Sequence, residues 1–190
     1  KASLNQWNDI NYNHVPSKAN LKYRNAFLKH DEERRKAYLA SLQKGDDSVK
    51  INADSMFLYD IVQAYIENNG FWGGSLKPYD ETLEQLWNAQ EPPKDYNDIL
   101  VTRDGSGSME QKLSGNSSVT ALNVADSIAL YCAQHNKNES FNNRFITFSN
   151  RPQMVDISMC QTLRDKLRRL HRFDDYSNTD IEATFDLILD

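Results

Sequence analysis

Cysteine is scarce in this chain, with only Cys132 and Cys160 among 190 residues. So few cysteines exclude a scaffold held together by disulfides. Long apolar runs are also absent, since no run approaches the roughly 18–20 residues that a bilayer crossing requires. No signal-peptide pattern stands at the start. We therefore expect a cytoplasmic protein that does not cross a membrane, and a chain that begins with Lys1 rather than Met reads as a piece of a longer protein.

The chain has no surplus of positive charge. Its 22 lysines and arginines face 27 aspartates and glutamates, which gives a net charge of −5. This balance disfavours broad nucleic-acid binding, which usually shows as a basic excess. Apolar content of 39% and charged content of 26% are ordinary for a globular protein.

The common catalytic motifs are missing. We find no phosphate-binding P-loop, no H-E-x-x-H and no C-x-x-C. Because Asp104 stands two residues before Ser106, the segment does not satisfy the G-x-S-x-G pattern of serine hydrolases. A phosphoaspartate hydrolase needs a second aspartate two residues after the first. After Asp104 that position is Ser106, so this class of enzyme is also disfavoured. The sequence therefore predicts a protein that is not an enzyme.

Hydropathy patterning divides the chain in two. Residues 1–93 form a predicted helical region, because apolar residues recur at helical spacing over residues 20–43, 55–68 and 79–89. A stiff polar segment, Glu91-Pro92-Pro93-Lys94-Asp95, then separates the halves.

Residues 96–190 alternate between strand and helix patterns. Strands are predicted over residues 99–102, 144–149 and 154–157, the last as an antiparallel edge. Helices are predicted over residues 118–134, 162–173 and 180–190. This alternation favours an α/β domain with a parallel sheet and helices on both faces.

The most informative segment is Asp104-Gly105-Ser106-Gly107-Ser108-Met109, which follows a predicted buried strand. Its carboxylate and two hydroxyls stand at alternate positions and can converge on one centre. Magnesium and manganese prefer such oxygen ligands. A second oxygen-rich loop, residues 174–180, also precedes a helix, and both loops would meet at the carboxyl edge of the sheet. The alternative is a Gly/Ser-rich loop that only caps a helix.

The motif Asp104-x-Ser106-x-Ser108 resembles the metal-ion-dependent adhesion site of the von Willebrand factor A domain. Residues 145–152 and 179–189 are similar to the intracellular branch found in Ro ribonucleoprotein (TROVE) proteins. The chain looks closer still to an uncharacterised family of bacteria, plants, fungi and viruses that joins a helical segment to an A domain. Residues 13–17, 50–53 and 59–62 resemble recurring blocks of that family.

The resemblance implies a fold, a ligand set and a mode of action. The fold is a doubly wound, mostly parallel sheet of the A type, preceded by the helical region and incomplete because the chain stops before the family's second aspartate. Thr179 stands where that family has its metal-binding threonine, although a helix N-cap is the other interpretation. Magnesium, with manganese or calcium as alternatives, would then bind a carboxylate of a protein partner. The metal ligands implied are Asp104, Ser106, Ser108 and Thr179.

An alternative function is RNA binding of the Ro type. One concentrated basic cluster stands in the predicted helix 162–173, although such a cluster is more often a solvated helix face. Its members are Arg164, Lys166, Arg168, Arg169 and Arg172.

Overall fold

The computed structural model describes residues 6–67, 75–92, 98–115, 117–174 and 178–189. The chain forms two compact units: Lys1–Phe57 with Tyr79–Glu91, and Leu58–Pro78 with Pro92–Asp190. The polar break predicted at residues 91–95 lies largely outside the described residues. The division into domains at residues 93–96 stays a prediction.

The described residues contain seven α-helices, three strands and four short 3-10 helices. The helices are α1 (Ser17–His30), α2 (Glu32–Gln43), α3 (Leu58–Tyr65), α4 (Glu81–Asn88), α5 (Ala121–His135), α6 (Leu163–Leu170) and α7 (Ile181–Leu189). The strands are β1 (Thr102–Asp104), β2 (Arg144–Phe148) and β3 (Met154–Asp156).

The first unit contains α1, α2 and α4, and its helix pattern corrects one expectation. The single helix predicted over residues 20–43 is wrong, because the backbone turns at Asp31, whose φ is −147°. The buried Asp31 carboxylate accepts a hydrogen bond from Tyr12 Oη at 2.8 Å and pairs with Arg34 at 2.9 Å. These contacts anchor the turn and separate the two helices.

The core of the first unit is aromatic and encloses an arginine. Arg35 is fully buried, and its guanidinium carbon lies 4.9–5.2 Å from the centroids of the rings of Tyr12, Phe27 and Tyr38. Cation–π attraction of this kind is worth more when it is desolvated. Because this core includes residues from the turns before α1, it fixes the N-terminal segment onto the helices.

The second unit contains a small mixed sheet in the order β1-β2-β3. β1 and β2 are parallel, with Asp104 opposite Phe148, and α5 connects them. β2 and β3 are antiparallel, with Phe145 opposite Val155. The expectation of an antiparallel edge strand is therefore confirmed.

The predicted fold class is wrong. Three strands with one parallel and one antiparallel pairing are not a doubly wound, mostly parallel A-domain sheet. The reason lies partly in the connections, since a parallel pair needs a crossover of a dozen or more residues. Only residues 149–153 separate β2 from β3, which forces an antiparallel hairpin. Four α-helices, α3, α5, α6 and α7, lie in the remaining described part of this unit.

Helix α5 lies at the centre of the second unit and packs against α3, β1, β2 and α6. It starts at a reciprocal capping pair, in which Thr120 Oγ1 accepts from Asn123 N–H and Asn123 Oδ1 accepts from Thr120 N–H. Its small buried residues, such as Ala129 and Ala133, permit this close packing. Ile128 of the same helix is 45% exposed.

Of the helices in the described ranges, none has the length and apolar character that a membrane crossing requires.

Candidate functional site

The predicted metal-binding loop begins at the last residue of β1. Asp104 Oδ1 accepts a hydrogen bond from Ser106 N–H at 2.8 Å, which turns the chain away from the sheet. Ser106 Oγ lies 2.9 Å from Ser108 Oγ. The structure therefore brings three of the four predicted ligands, Asp104, Ser106 and Ser108, into one tight turn.

The donor set suits a hard cation. Two neighbouring ligands of an octahedral magnesium ion, at bonds of about 2.0–2.1 Å, lie about 2.9 Å apart, and the two serine hydroxyls have this spacing. Ser108 is exposed and Ser106 is partly exposed, so both hydroxyls are open to solvent and to a partner. Without a cation, the same distance is that of a hydrogen bond.

Gly105 allows this turn to pass over a crowded interior. A Cβ atom at Gly105 would collide with Arg103 Nη1 and would lie 3.2 Å from Asp174 Oδ1. No other residue fits here unless those side chains move. The same measurement places Asp174, the first residue of the second predicted loop, directly beside the first loop.

A buried charge cluster formed by Arg103, Asp126, Asp174 and His171 lies beneath the loop. Arg103 Nε and Nη2 donate to Asp126 Oδ1 at 2.9 and 2.7 Å, and Arg103 Nη1 forms an ion pair with Asp174 Oδ1 at 2.5 Å. His171 Nε2 lies 3.1 Å from Asp126 Oδ2. The cluster thus joins β1 to α5 and to the segment that follows α6.

The charges in this cluster alter one another's proton affinity. Burial alone would lower the pKa of Arg103, but Asp126 and Asp174 raise it above its ordinary value, so the guanidinium stays charged. Burial raises the pKa of Asp174, against the opposing effect of Arg103. Two carboxylates beside one guanidinium mean that the cluster adds no net positive charge beneath the loop.

The fourth predicted ligand, Thr179, lies in the second loop and is exposed. Among the described residues, it forms no hydrogen bond to Ser106 or Ser108. Its competing role as a helix cap is taken by Asp180, whose Oδ1 accepts from Ala183 N–H at 3.0 Å. Residues 175–177 of the loop lie outside the described residues, so a metal role for Thr179 stays a prediction.

Among the described residues, no group of three or more histidine, cysteine, aspartate or glutamate side chains is arranged to hold a metal ion. The loop offers one carboxylate and hydroxyls instead. Any metal here would depend on neutral oxygen ligands.

Both halves of the sequence match known families. Residues 1–95, which are half of the chain, match a family described as a domain of unknown function, DUF2828. The chain belongs to the DUF2828 family. Residues 98–190 match a second domain of unknown function, DUF7788.

No curated protein and no solved structure matches this DUF2828 chain. No match to the von Willebrand factor A or TROVE families was found either. The resemblance to those families therefore stays a prediction, and the function must be argued from the site itself.

The basic cluster of the DUF2828 chain does not form one surface. Lys166 is buried, and its Nζ donates to Gln134 Oε1 at 2.7 Å. The guanidinium carbon of Arg169 lies 5.1 Å from the centroid of the Phe173 ring. The remaining three arginines of the predicted set line a separate cleft: Arg164, Arg168 and Arg172.

Sequence reasoning left three members of the buried charge cluster unassigned. No sequence pattern assigned a role to Arg103 or His171, and Asp174 entered only as part of the oxygen-rich loop 174–180. One signal was present, because Asp126 stands at helical spacing from Leu130 and Ala133 on the buried face of α5. A carboxylate on that face requires a buried cation, and Arg103, two residues after the apolar run Ile99-Leu100-Val101, is the natural candidate.

Proposed function

We propose that this DUF2828 chain is a non-catalytic interaction module that holds Mg²⁺ on the loop Asp104–Ser108 and through it binds an acidic group of a protein partner. The observation that supports this most directly is the 2.9 Å separation of the Ser106 and Ser108 hydroxyls, two and four residues after Asp104. The proposal rests on this loop and requires no A-domain sheet.

The ligand chemistry favours capture of a carboxylate. Two neutral hydroxyls and one carboxylate leave part of the charge of a divalent cation uncompensated. Such a cation attracts an anionic oxygen as its next ligand. We assign Thr179 as a further neutral ligand, because Asp174 brings the start of its loop beside Gly105. Manganese is the closest substitute for magnesium, and calcium is a weaker one.

The proposed role of the buried charge cluster is to hold the loop in shape. Arg103 contacts one carboxylate on α5 and another at the start of the second loop. It therefore holds the two loops side by side. None of these groups needs to act as an acid, a base or a nucleophile.

A calorimetric titration of the full chain with magnesium chloride tests the proposal. We expect saturable binding that Ser106→Ala and Asp104→Asn each weaken by tenfold or more, on the order of one lost charge-assisted contact. Ser114→Ala removes another exposed hydroxyl of the same segment and is the matched control. Equal magnesium binding by the wild-type chain and Ser106→Ala would show that the loop is not a magnesium site.

The alternative of RNA binding has less support. Of its five basic residues, Lys166 and Arg169 are engaged by Gln134 and Phe173 within the second unit. A phosphate backbone is usually followed by a continuous basic groove. A steep loss of affinity for structured RNA as salt rises would favour this alternative.

We also propose a cytoplasmic location. Cys132 is a buried free thiol, and Cys160 is a partly exposed one. Free thiols of this kind are typical of reducing compartments.

A further inference from the structure

Three arginines and a histidine of the second unit converge on one concave surface. A cleft of about 290 Å³ is lined by Leu76, Arg164, Arg168, His171 and Arg172. The arginines stand four residues apart, which places them along one stripe of α6 and the turn that follows it. No aspartate or glutamate is among the described residues that line it.

The walls of this cleft are held in place by contacts from behind. Arg164 Nε donates to Lys77 O at 2.6 Å, which ties α6 to the segment that carries Leu76. His171 Nε2 lies 3.1 Å from the buried Asp126. These contacts orient the Arg164 guanidinium and the His171 ring at the cleft.

The other two arginines supply most of the exposed positive charge. Arg168 Nη1 pairs with Asp165 at 3.2 Å, and both side chains are nearly half exposed. Arg172 is exposed at the far end of the stripe. Among the described residues that line the cleft there are three guanidinium groups and no carboxylate, and Asp165 beside Arg168 is a single opposing surface charge, although the chain as a whole carries −5.

We propose that this cleft binds the phosphate group of a small phosphorylated molecule. Planar guanidinium groups donate paired hydrogen bonds that match phosphate oxygens. The volume is close to the lower end of small-molecule pockets, about 300 Å³. It therefore accommodates a phosphate with a small organic group.

The test is calorimetry on the full chain with three probes: inorganic phosphate, phenyl phosphate and a structured RNA hairpin. We expect phosphate and phenyl phosphate to bind, and the double variant Arg168→Gln with Arg172→Gln to lose roughly tenfold or more in affinity for both. Since both side chains are exposed, the fold should survive, and thermal unfolding followed by circular dichroism verifies this.

Arg144→Gln is the matched control, because Arg144 is a partly exposed arginine outside the cleft that also pairs with a surface aspartate. It should bind both small probes as the wild type does. Three results would overturn the proposal: no binding of either small probe, equal binding by the double variant, or an equal loss in Arg144→Gln. Binding of the RNA without either small probe would also overturn it, in favour of a nucleic-acid surface.

Discussion

Two of the described arginines are almost completely buried, and their guanidinium groups have different kinds of partner. Arg103 is 1% exposed and faces two carboxylates, whereas Arg35 is 0% exposed and donates to the neutral oxygens of Asn20 and Thr82 among aromatic rings. The removal of one partner from a buried ion pair leaves the other charge without compensation, and this is the costly event. The Arg103 cluster is therefore the more sensitive position for substitution.

Replacement of Arg103 by methionine should destabilise the second unit by about 3–5 kcal/mol, because Asp126 and Asp174 lose the guanidinium that pairs with both of them. Urea unfolding measures this loss. Arg144→Met is the control, since its 3.5 Å pair with Asp156 is exposed and should be worth about 0–1 kcal/mol. Similar losses in the two variants would show that the buried cluster does not anchor the unit.

The first unit should lose stability at alkaline pH. Burial raises the pKa of Tyr38 to about 12, against an ordinary value of 10.0, and burial together with Asp31 raises that of Tyr12. Above pH 10 the unfolded chain releases protons that the folded chain retains. The stabilisation present below pH 10 is therefore lost as the pH rises toward 12.

The measurement is the free energy of unfolding in urea between pH 9 and pH 11. Each buried tyrosine should add a decline of up to about 1.4 kcal/mol per pH unit. Tyr38→Phe removes one of these contributions and should flatten the decline. Tyr23→Phe, at a tyrosine that is 42% exposed, is the control and should follow the wild type. An unchanged slope in Tyr38→Phe would contradict this explanation.

At the scale of helices and strands, the sequence was informative where local spacing decides the structure. The helices predicted over residues 55–68, 79–89, 118–134, 162–173 and 180–190 all occur, with ends within a few residues. Helix α2 ends near Gly45, whose φ of +72° is a backbone conformation that favours glycine. These features depend on apolar periodicity and terminators, which lie within a few residues of one another.

Features that depend on distant partners were missed. The break at Asp31 requires the hydroxyl of Tyr12, 19 residues earlier. The first strand was expected over residues 99–102 but is Thr102–Asp104, and it includes a charged residue because Arg103 meets Asp126 from α5. The pairing of the two loops depends on Asp174, 71 residues after Arg103. No local pattern carries such information.

At the scale of the whole chain, the two compact units and the two family matches have different boundaries in the sequence. DUF7788 covers residues 98–190, whereas the second compact unit also includes Leu58–Pro78. This extra segment carries α3, which packs on α5 and contains the fully buried side chains of Ile61, Val62 and Tyr65. Residues 98–190 alone would leave that side of α5 uncovered.

We therefore expect the second unit, made as residues 58–78 joined to residues 92–190 by a flexible Gly/Ser linker, to unfold cooperatively in urea. A fragment of residues 98–190 should unfold at clearly lower urea or without a cooperative transition. Burial of each large apolar side chain contributes about 1.5–3 kcal/mol. The loss of three such side chains approaches the whole stability of a small domain, about 5–15 kcal/mol. The full chain is the reference for both fragments. If the fragment of residues 98–190 has the same urea midpoint as the linked second unit, α3 is dispensable, and the boundary of the second unit coincides with the family match.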